Sequence, residues 1–291
     1  MLTSVVIISK DERSLAATLD ALRPMFNDGI DQVVVVDASE GRLDDIRADH
    51  AWVDWENFVQ PRGVRITIPS QRNAGVAKAR GDLIVFIDAG CIPRPMWLQR
   101  LLQPILHGSE HITCGPATAR GANVYGGSRW SEPKTEYVSK APTINMAFRR
   151  EVFDAVGGFD ERFDYGSDID FTWRITASGE RIRWISDAVV EHEWGTVPRQ
   201  VKRAFVYGAA SARLYRKHPR RIKESLQSNP VPFAYPAFLV GLPLTLRFRW
   251  YPLLLVVPLW RNRRADAPVL VLVDHIVHGA GVLAEMSGCN R

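Results

Sequence analysis

Cysteine is nearly absent: Cys91, Cys114 and Cys289 are the three in 291 residues. They are too few and too scattered for a disulfide framework or a zinc cluster, so a reducing, cytoplasmic setting is expected. No targeting leader is expected at the opening either. The opening MLTSVVIISKDE has no basic region, and its apolar run stops at Lys10, so it reads as a first strand rather than a signal peptide. There is no internal repeat and no low-complexity tract. No G-x-G-x-x-G follows the first strand, which argues against a dinucleotide-dependent dehydrogenase. What is present is an ordinary folded composition, 46% hydrophobic and 24% charged, which excludes a disordered chain.

Charge is unevenly placed. From Arg199 to the end there are fifteen Lys/Arg and four Asp/Glu, a net +11, which leaves −6 for the first 198 residues. A basic tail on an acidic body points to an anionic partner, and the tail's apolar content favours a phospholipid surface over nucleic acid. Its charges bracket apolar runs instead of interleaving with exposed polar residues, which also speaks against nucleic acid. Ser225 to Leu246 holds no charged residue, then come Arg247, Arg249, WYPLLLVVPLW and RNRR. A spanning helix needs ~20 apolar residues, and prolines at 230, 232, 236 and 243 interrupt this one. Two readings stand: an interfacial or re-entrant segment on anionic lipid, at the cytoplasmic face, or soluble helices packed on a core. The expected division is a nucleotide-binding domain over residues 1–220 and a basic, apolar helical region over 221–291.

The first two-thirds alternates strand and helix signals, which predicts an α/β fold with a mostly parallel central sheet flanked by helices. Ser4–Ser9, Val33–Asp37, Arg65–Ile68 and Leu83–Asp88 read as strands, the β-branched ones buried on both faces. Asp11 is expected to cap a helix presenting Leu15, Leu19 and Leu22, and Met96–Leu106 is a second helix entered through Pro95. Residues 116–142 read as a long functional loop. A helix is expected from Ser167 to Ser178 with Gly179 as its stop, and Arg199–Lys217 is a basic helix.

Three strands break into polar clusters: Ser9-Lys10-Asp11-Glu12, Asp37-Ala38-Ser39 and Asp88-Ala89-Gly90. An Asp after one strand is commonly a cap or turn former. Three in one sheet converge on the edge where open α/β sheets hold ligands. A carboxylate such as Asp37 accepts a hydrogen bond from a base or ribose, and Arg72 offers a fork of donors to phosphate. In GSDIDF, Ser167 is placed to cap a helix with Asp168 and Asp170 in its first turn, where ionised carboxylates are favoured. An Asp kept charged there accepts a proton from an attacking hydroxyl; plain capping chemistry is the bland alternative.

SVVIISKDE, VVVVDAS, QRNAGVAKARGDLIVFIDAG, NMAFRR, GGFDERF and ISDAVVEH follow one another in an order that resembles the family 2 glycosyltransferases of the GT-A fold, over roughly residues 3–195. The resemblance implies an inverting enzyme that moves a sugar from a UDP- or GDP-sugar to an acceptor hydroxyl. It implies that Ser9 and Glu12 line the nucleoside pocket, that Asp37 contacts the nucleobase, and that Arg72 and Asp88 also face the donor. Asp88 matches the first acid of the Asp-X-Asp element, which handles ribose and metal. Asp168 matches the general base, and Trp130, Asn145 and Asp170 fall on the acceptor side. Within the long loop, Tyr125, Trp130 and Tyr137 form acceptor contacts or a lid, or simply pack the loop. His192 resembles a histidine that in some members approaches the metal or the diphosphate, and is equally read as structural.

Two positions depart from the pattern. Gly90 replaces the second acid of Asp-X-Asp, and Ser167 replaces the Glu before the base. Losing the carboxylate at 90 removes an oxygen ligand for Mg²⁺ or Mn²⁺. Either Asp88, Asp170 and His192 hold a weakened metal site, or Arg72, Lys140, Arg149 and Arg150 take over the diphosphate charge. These losses also leave room for a non-catalytic, membrane-associated sugar- or nucleotide-binding protein, against which the retained Asp168 argues. The acceptor is unspecified; the tail makes a lipid-linked one the natural choice by location.

Overall fold

Runs of β-branched residues with both faces covered become the centre of a sheet. The computed structural model describes residues 1–60, 63–64, 67–120, 133, 135–193, 195–265 and 267–288. Described residues up to Glu193 form one compact unit and those from Gly195 a second. The first unit opens with β1 (Thr3–Ser9), α1 (Leu15–Leu22), β2 (Gln32–Asp37), α2 (Asp44–Asp49), β3 (Asp54–Asn57), α3 (Ile68–Lys78) and β4 (Leu83–Ile87). It continues with β5 (Ile92–Pro93), α4 (Trp97–Leu106), β6 (Ile112–Cys114), β7 (Ala117–Ala119), β8 (Tyr137–Val138) and β9 (Asn145–Arg149). It closes with α5 (Arg150–Ala155), α6 (Ser167–Ala177), β10 (Ile182–Trp184) and β11 (Val190–His192).

An eight-stranded sheet runs β3-β2-β1-β4-β9-β6-β10-β8, and a three-stranded one runs β5-β11-β7. β3, β2, β1 and β4 are parallel, as the continuous apolar runs predict. β9 enters antiparallel between β4 and β6. This is the GT-A architecture expected from the sequence. α3 lies directly on β1, because a Cβ at Gly75 would sit 2.4 Å from Val6 Cγ1. Gln71 pins the helix: its Nε2 donates to Ser9 O at 2.9 Å and to Val36 O at 3.1 Å. Phe86, Phe148, Phe153, Phe159 and Phe171, with ring centroids 4.3 to 6.1 Å apart, join α6 and the GGFDERF segment to the sheet.

Several local expectations change. Ile68 begins α3 instead of ending a strand, because Thr67 and Ser70 form a capping box with Pro69 in the first turn; Arg65 lies outside the described residues. Asp11 does not cap α1, whose buried Leu15, Leu19 and Leu22 are as expected. Asp11 is left-handed at φ +59° and gives its carboxylate to Arg42 Nε at 2.5 Å. Gly166, at φ +79°, takes the cap position of α6, so Ser167 is the first helical residue. The long loop contains β7 and β8, while Tyr125, Trp130 and Cys289 lie outside the described residues.

The second unit holds α7 (Val197–Lys217), α8 (Ile222–Ser228), α9 (Val231–Val240), α10 (Val256–Arg261) and α11 (Pro268–Met286). A Cβ at Gly208 would lie 1.9 Å from His278 O, and one at Gly281 would lie 2.0 Å from Phe205 O, so α7 and α11 meet backbone to backbone. That contact places the basic helix α7 with the tail, and the division falls at Glu193, ahead of residue 220.

Candidate active site

Three adjacent strands deliver their last residues to one edge. Ser9 of β1 is in register with Asp37 of β2, and Val6 pairs with Phe86 of β4, so Asp88 leaves the sheet beside them. This is the carboxyl edge, where such sheets hold ligands. Asp37 is buried and accepts the Ser39 N–H at 3.2 Å and the Ser39 hydroxyl at 2.5 Å, both on Oδ1. Burial pushes its carboxyl above the usual range, and the two Ser39 bonds pull part of that back. Ser39 Oγ also accepts the Asp11 N–H at 2.7 Å, which fixes the two turns together. Among the described residues the buried Ser9 hydroxyl has no partner. Glu12 is half-buried and accepts from Ser14 Oγ at 2.8 Å.

Arg72 is buried in α3 with Nη2 3.4 Å from Asp88 Oδ1. Its guanidinium rests over Phe86 at 5.9 Å and Phe159 at 5.7 Å, which holds the charge in place. Sequence reasoning picked out Arg72 alone from its motif. Asn73 also matters: Nδ2 donates to Phe159 O at 3.0 Å and to Glu161 Oε1 at 2.9 Å, and Oδ1 accepts the Phe159 N–H at 2.9 Å. Gln71, Arg72 and Asn73 thus fasten the strand ends, the acid and the GGFDERF segment in turn. The signal was there: three consecutive polar residues, Gln71, Arg72 and Asn73, in a helix that goes on with small and apolar residues.

Asp168 stands in the first turn of α6, part of its surface accessible though protein crowds around it, and its Oδ1 accepts the Ile169 N–H at 2.9 Å. Burial pushes its carboxyl up; the nearby Arg72 charge and the Ile169 bond pull it down, and Asp88 pushes it up again. Asp168, Arg72 and Asp88 therefore share one electrostatic neighbourhood. The segment holding Lys140 is tied to the same helix, since Ala141 N–H donates to Thr172 Oγ1 at 3.4 Å.

Other residues read as site candidates are placed elsewhere. Asp170 is fully buried and pairs with Arg174 Nε at 2.9 Å. Arg174 then holds Val156 O at 2.5 Å and Gly158 O at 2.6 Å. Residues two apart on a helix face different ways, so Asp170 packs where Asp168 opens. Asn145 is buried with its capacity used: Nδ2 donates to Pro116 O at 3.0 Å and Ala188 O at 2.7 Å, and Oδ1 accepts Trp97 Nε1 at 2.8 Å. It is a fastener and leaves nothing for an acceptor. Arg149 and Arg150 sit at the far end of β9, because Arg149 pairs with Leu83, at the start of β4. Arg150 caps the carbonyls of Val76, Ala79 and Gly81 at 2.7 to 3.1 Å. Tyr137 donates to Glu110 Oε1 at 2.6 Å and carries Arg181 over its ring at 4.3 Å, which is packing. Trp130 lies outside the described residues.

The donor set does not suit a protein-held divalent cation. Asp88 is a single carboxylate already facing Arg72. Gly90 is left-handed at φ +87°, its N–H donates to Thr18 Oγ1 at 2.8 Å, and a Cβ there would lie 2.6 Å from Ser14 Oγ and 3.7 Å from His192 Nδ1. His192 is thus at the same turn, where position 90 brings no carboxylate and Ser14 Oγ takes up the neighbouring space. Among the described residues no three His, Cys, Asp or Glu side chains gather as a cation site.

Comparison with known proteins identifies the family and the fold. A sequence model of glycosyl transferase family 2 matches residues 4–159. The chain is 26% identical over 243 residues to the pre-mycofactocin glycosyltransferase of Mycobacterium tuberculosis, a match covering 75% of this chain and 48% of that protein. It therefore spans about half the length of that curated relative. The mannosyltransferase PcManGT of Pyrobaculum calidifontis, solved with GDP-Man and Mn²⁺, superposes with a TM-score of 0.69 at 18% identity, covering 98% of this chain and 86% of that one. GalNAc-T7, solved with UDP, GalNAc and Mn²⁺, gives a TM-score of 0.55 at 16% identity over 79% and 58% of the two chains. With more than half of its residues matched by the family model, and with the fold to go with it, this chain belongs to glycosyl transferase family 2.

Proposed function

We propose that the chain transfers a sugar from a nucleoside diphosphate to an acceptor hydroxyl with inversion, Asp168 acting as general base. The observation that carries this is Asp168 beside the Arg72–Asp88 pair, on the sheet edge that also holds Asp37. Ser9, Glu12 and Asp37 receive the nucleoside, and Asp37 has Oδ2 to offer a base or ribose donor, since Ser39 occupies Oδ1. GDP-Man and UDP in the two structural neighbours support a UDP- or GDP-sugar as donor. Burial gives Asp168 a higher proton affinity than an ordinary carboxylate, which suits it to take a hydroxyl proton. The hydroxyl oxygen bonds the anomeric carbon as the bond to the diphosphate breaks on the opposite face, so configuration inverts. The proton stays on Asp168 until water removes it.

The leaving diphosphate gains negative charge. With position 90 unable to supply a ligand, that charge is met by Arg72 and, from the neighbouring segment, Lys140. The acceptor class stays open, a lipid-linked hydroxyl being the choice the tail favours. The test is nucleoside diphosphate release from a panel of nucleotide sugars, with and without EDTA, for wild type and Asp168→Asn. Release that survives EDTA and falls roughly 10²–10⁴-fold in the variant is expected. Full activity in Asp168→Asn removes the base assignment. Loss of activity in EDTA, restored by Mn²⁺, removes the arginine assignment. No release from any donor leaves a binding protein that kept the fold.

A further inference from the structure

The second unit carries a dense run of exposed large apolar side chains. Leu246, Phe248, Trp250, Leu254, Val257 and Trp260 are each more than half exposed, Leu246 at 93%. Single exposed apolar residues are ordinary; a contiguous run marks a surface made to be covered. Charge accompanies it. Residues 225–265 contain Arg247, Arg249, Arg261, Arg263 and Arg264 and no acid at all. Arg247 lies over Phe248 and Arg249 over Trp250 at 5.4 Å each, and Arg263 lies over Trp260 at 4.2 Å. An aromatic body with a cationic tip is what the boundary between water and lipid favours.

The backbone here is built to lie flat. Leu242–Leu246 and Tyr251–Leu255 are 3₁₀ segments of five residues each and α10 has six residues, whereas a span needs ~20. The segment is also folded back on α9. Tyr251 stacks on Phe238 at 5.2 Å and donates its hydroxyl to Phe238 O at 3.0 Å. A Cβ at Gly241 would sit 2.1 Å from that hydroxyl oxygen. α11 is long and apolar enough to cross a membrane, yet its polar groups are engaged within the unit. His275 Nδ1 meets Tyr235 Oη at 3.2 Å, His278 Nε2 meets Ser211 Oγ at 3.3 Å, and Glu285 meets Arg213 at 3.6 Å. α11 rests on α9 through Gly279 and on α7 through Gly281, with 17% of its apolar stretch buried; the segment before it is more exposed still.

We propose that residues 240–264 form an in-plane anchor for an anionic phospholipid surface, their apolar side chains entering the headgroup boundary and their arginines meeting lipid phosphates and carboxylates. A second copy of the chain suits this face poorly, since arginines would oppose arginines with no acid between them. Nucleic acid shares the phosphate chemistry and could stack bases on Phe248, Trp250 and Trp260, but it would leave Leu246, Leu254 and Val257 in water, where a lipid surface covers them.

The test is co-sedimentation of the full chain with vesicles of phosphatidylcholine containing a third phosphatidylserine, against phosphatidylcholine alone. Binding to the anionic vesicles only is expected. It should weaken as salt shortens the screening length from ~10 Å at 0.1 M to ~3 Å at 1 M, and alkaline carbonate should release the chain. R247Q/R249Q/R263Q, at exposed positions, should keep its melting temperature and lose about 100-fold in partitioning, roughly fivefold per arginine. W250S/W260S should lose binding as well. The anchor is overturned by equal sedimentation with both vesicles, by none with either, or by retention after carbonate. It is equally overturned by a dimer in lipid-free solution that W250S/W260S dissolves, or by duplex DNA binding that the arginine variant abolishes.

Discussion

As the proposed base, Asp168 holds two demands at once: it must ionise to accept a proton, and the protein around it resists ionisation. Its folded pKa lies above the ordinary carboxylate value of 3.8, so the stabilising side of the linkage operates below that value and is lost as pH rises. At neutral pH the ionised group therefore works against folding. Asp168→Asn should raise the melting temperature at pH 7, with the gain shrinking in acid, while transfer collapses; a lower melting temperature at pH 7 would contradict the burial argument. The acid limb of kcat/KM should fall above the ordinary carboxylate range. Arg72 pulls that pKa down, so Arg72→Gln should move the limb to higher pH and reduce kcat roughly 10²–10³-fold, the scale of losing one charge-stabilising donor. An unmoved limb would show that Arg72 does not reach the base. Asn145→Ala is the contrasting case. It strands the Trp97 indole N–H and two carbonyls at a cost of about 1–3 kcal/mol each, read in urea denaturation, while the KM of the folded enzyme for acceptor stays put. A raised KM with unchanged stability would return Asn145 to the acceptor site.

At the scale of elements, strand direction decides which basic residues serve. β9 runs antiparallel to β4, so Asn145 pairs with Ile87 and Arg149 with Leu83. At ~3.4 Å per residue the arginines lie more than ~10 Å from the carboxyl edge. The sequence motif NMAFRR shows a strand with two cations at its end but carries no sign of its direction. The turn after β4 is a similar case. Gly90 is legible as a missing acid, while its positive φ, which strains any side chain there, and its crowding against Ser14 Oγ are not. Gly90→Asp should therefore cost stability and bring no tight Mn²⁺ site, as titration calorimetry would show. Stoichiometric Mn²⁺ binding by that variant would mean the turn opens easily.

For the whole molecule, the uneven charge seen in the sequence maps onto the two compact units. The acidic body carries a site in which one buried guanidinium stands between two carboxylates, so turnover should be indifferent to EDTA and sensitive to ions that compete for Arg72, such as inorganic pyrophosphate. EDTA inactivation relieved by Mn²⁺ would reverse that expectation. Both neighbours solved with nucleotide ligands hold Mn²⁺.

The sequence alone determined the strand runs, the α/β order, the family resemblance and the positions of Asp37, Asp88 and Asp168 at element ends. Those features depend on residues within a turn or two of one another, where periodicity and capping act. Tertiary structure alone decided that Asn145 and Asp170 are fasteners, that Arg150 caps α3, that α7 joins the tail, and that Gln71 and Asn73 hold the site together. Apart from Asp170, whose partner Arg174 is one helical turn on, each of those roles is set by a partner far away in the chain. A buried polar group takes its meaning from whichever donor or acceptor the fold brings to it.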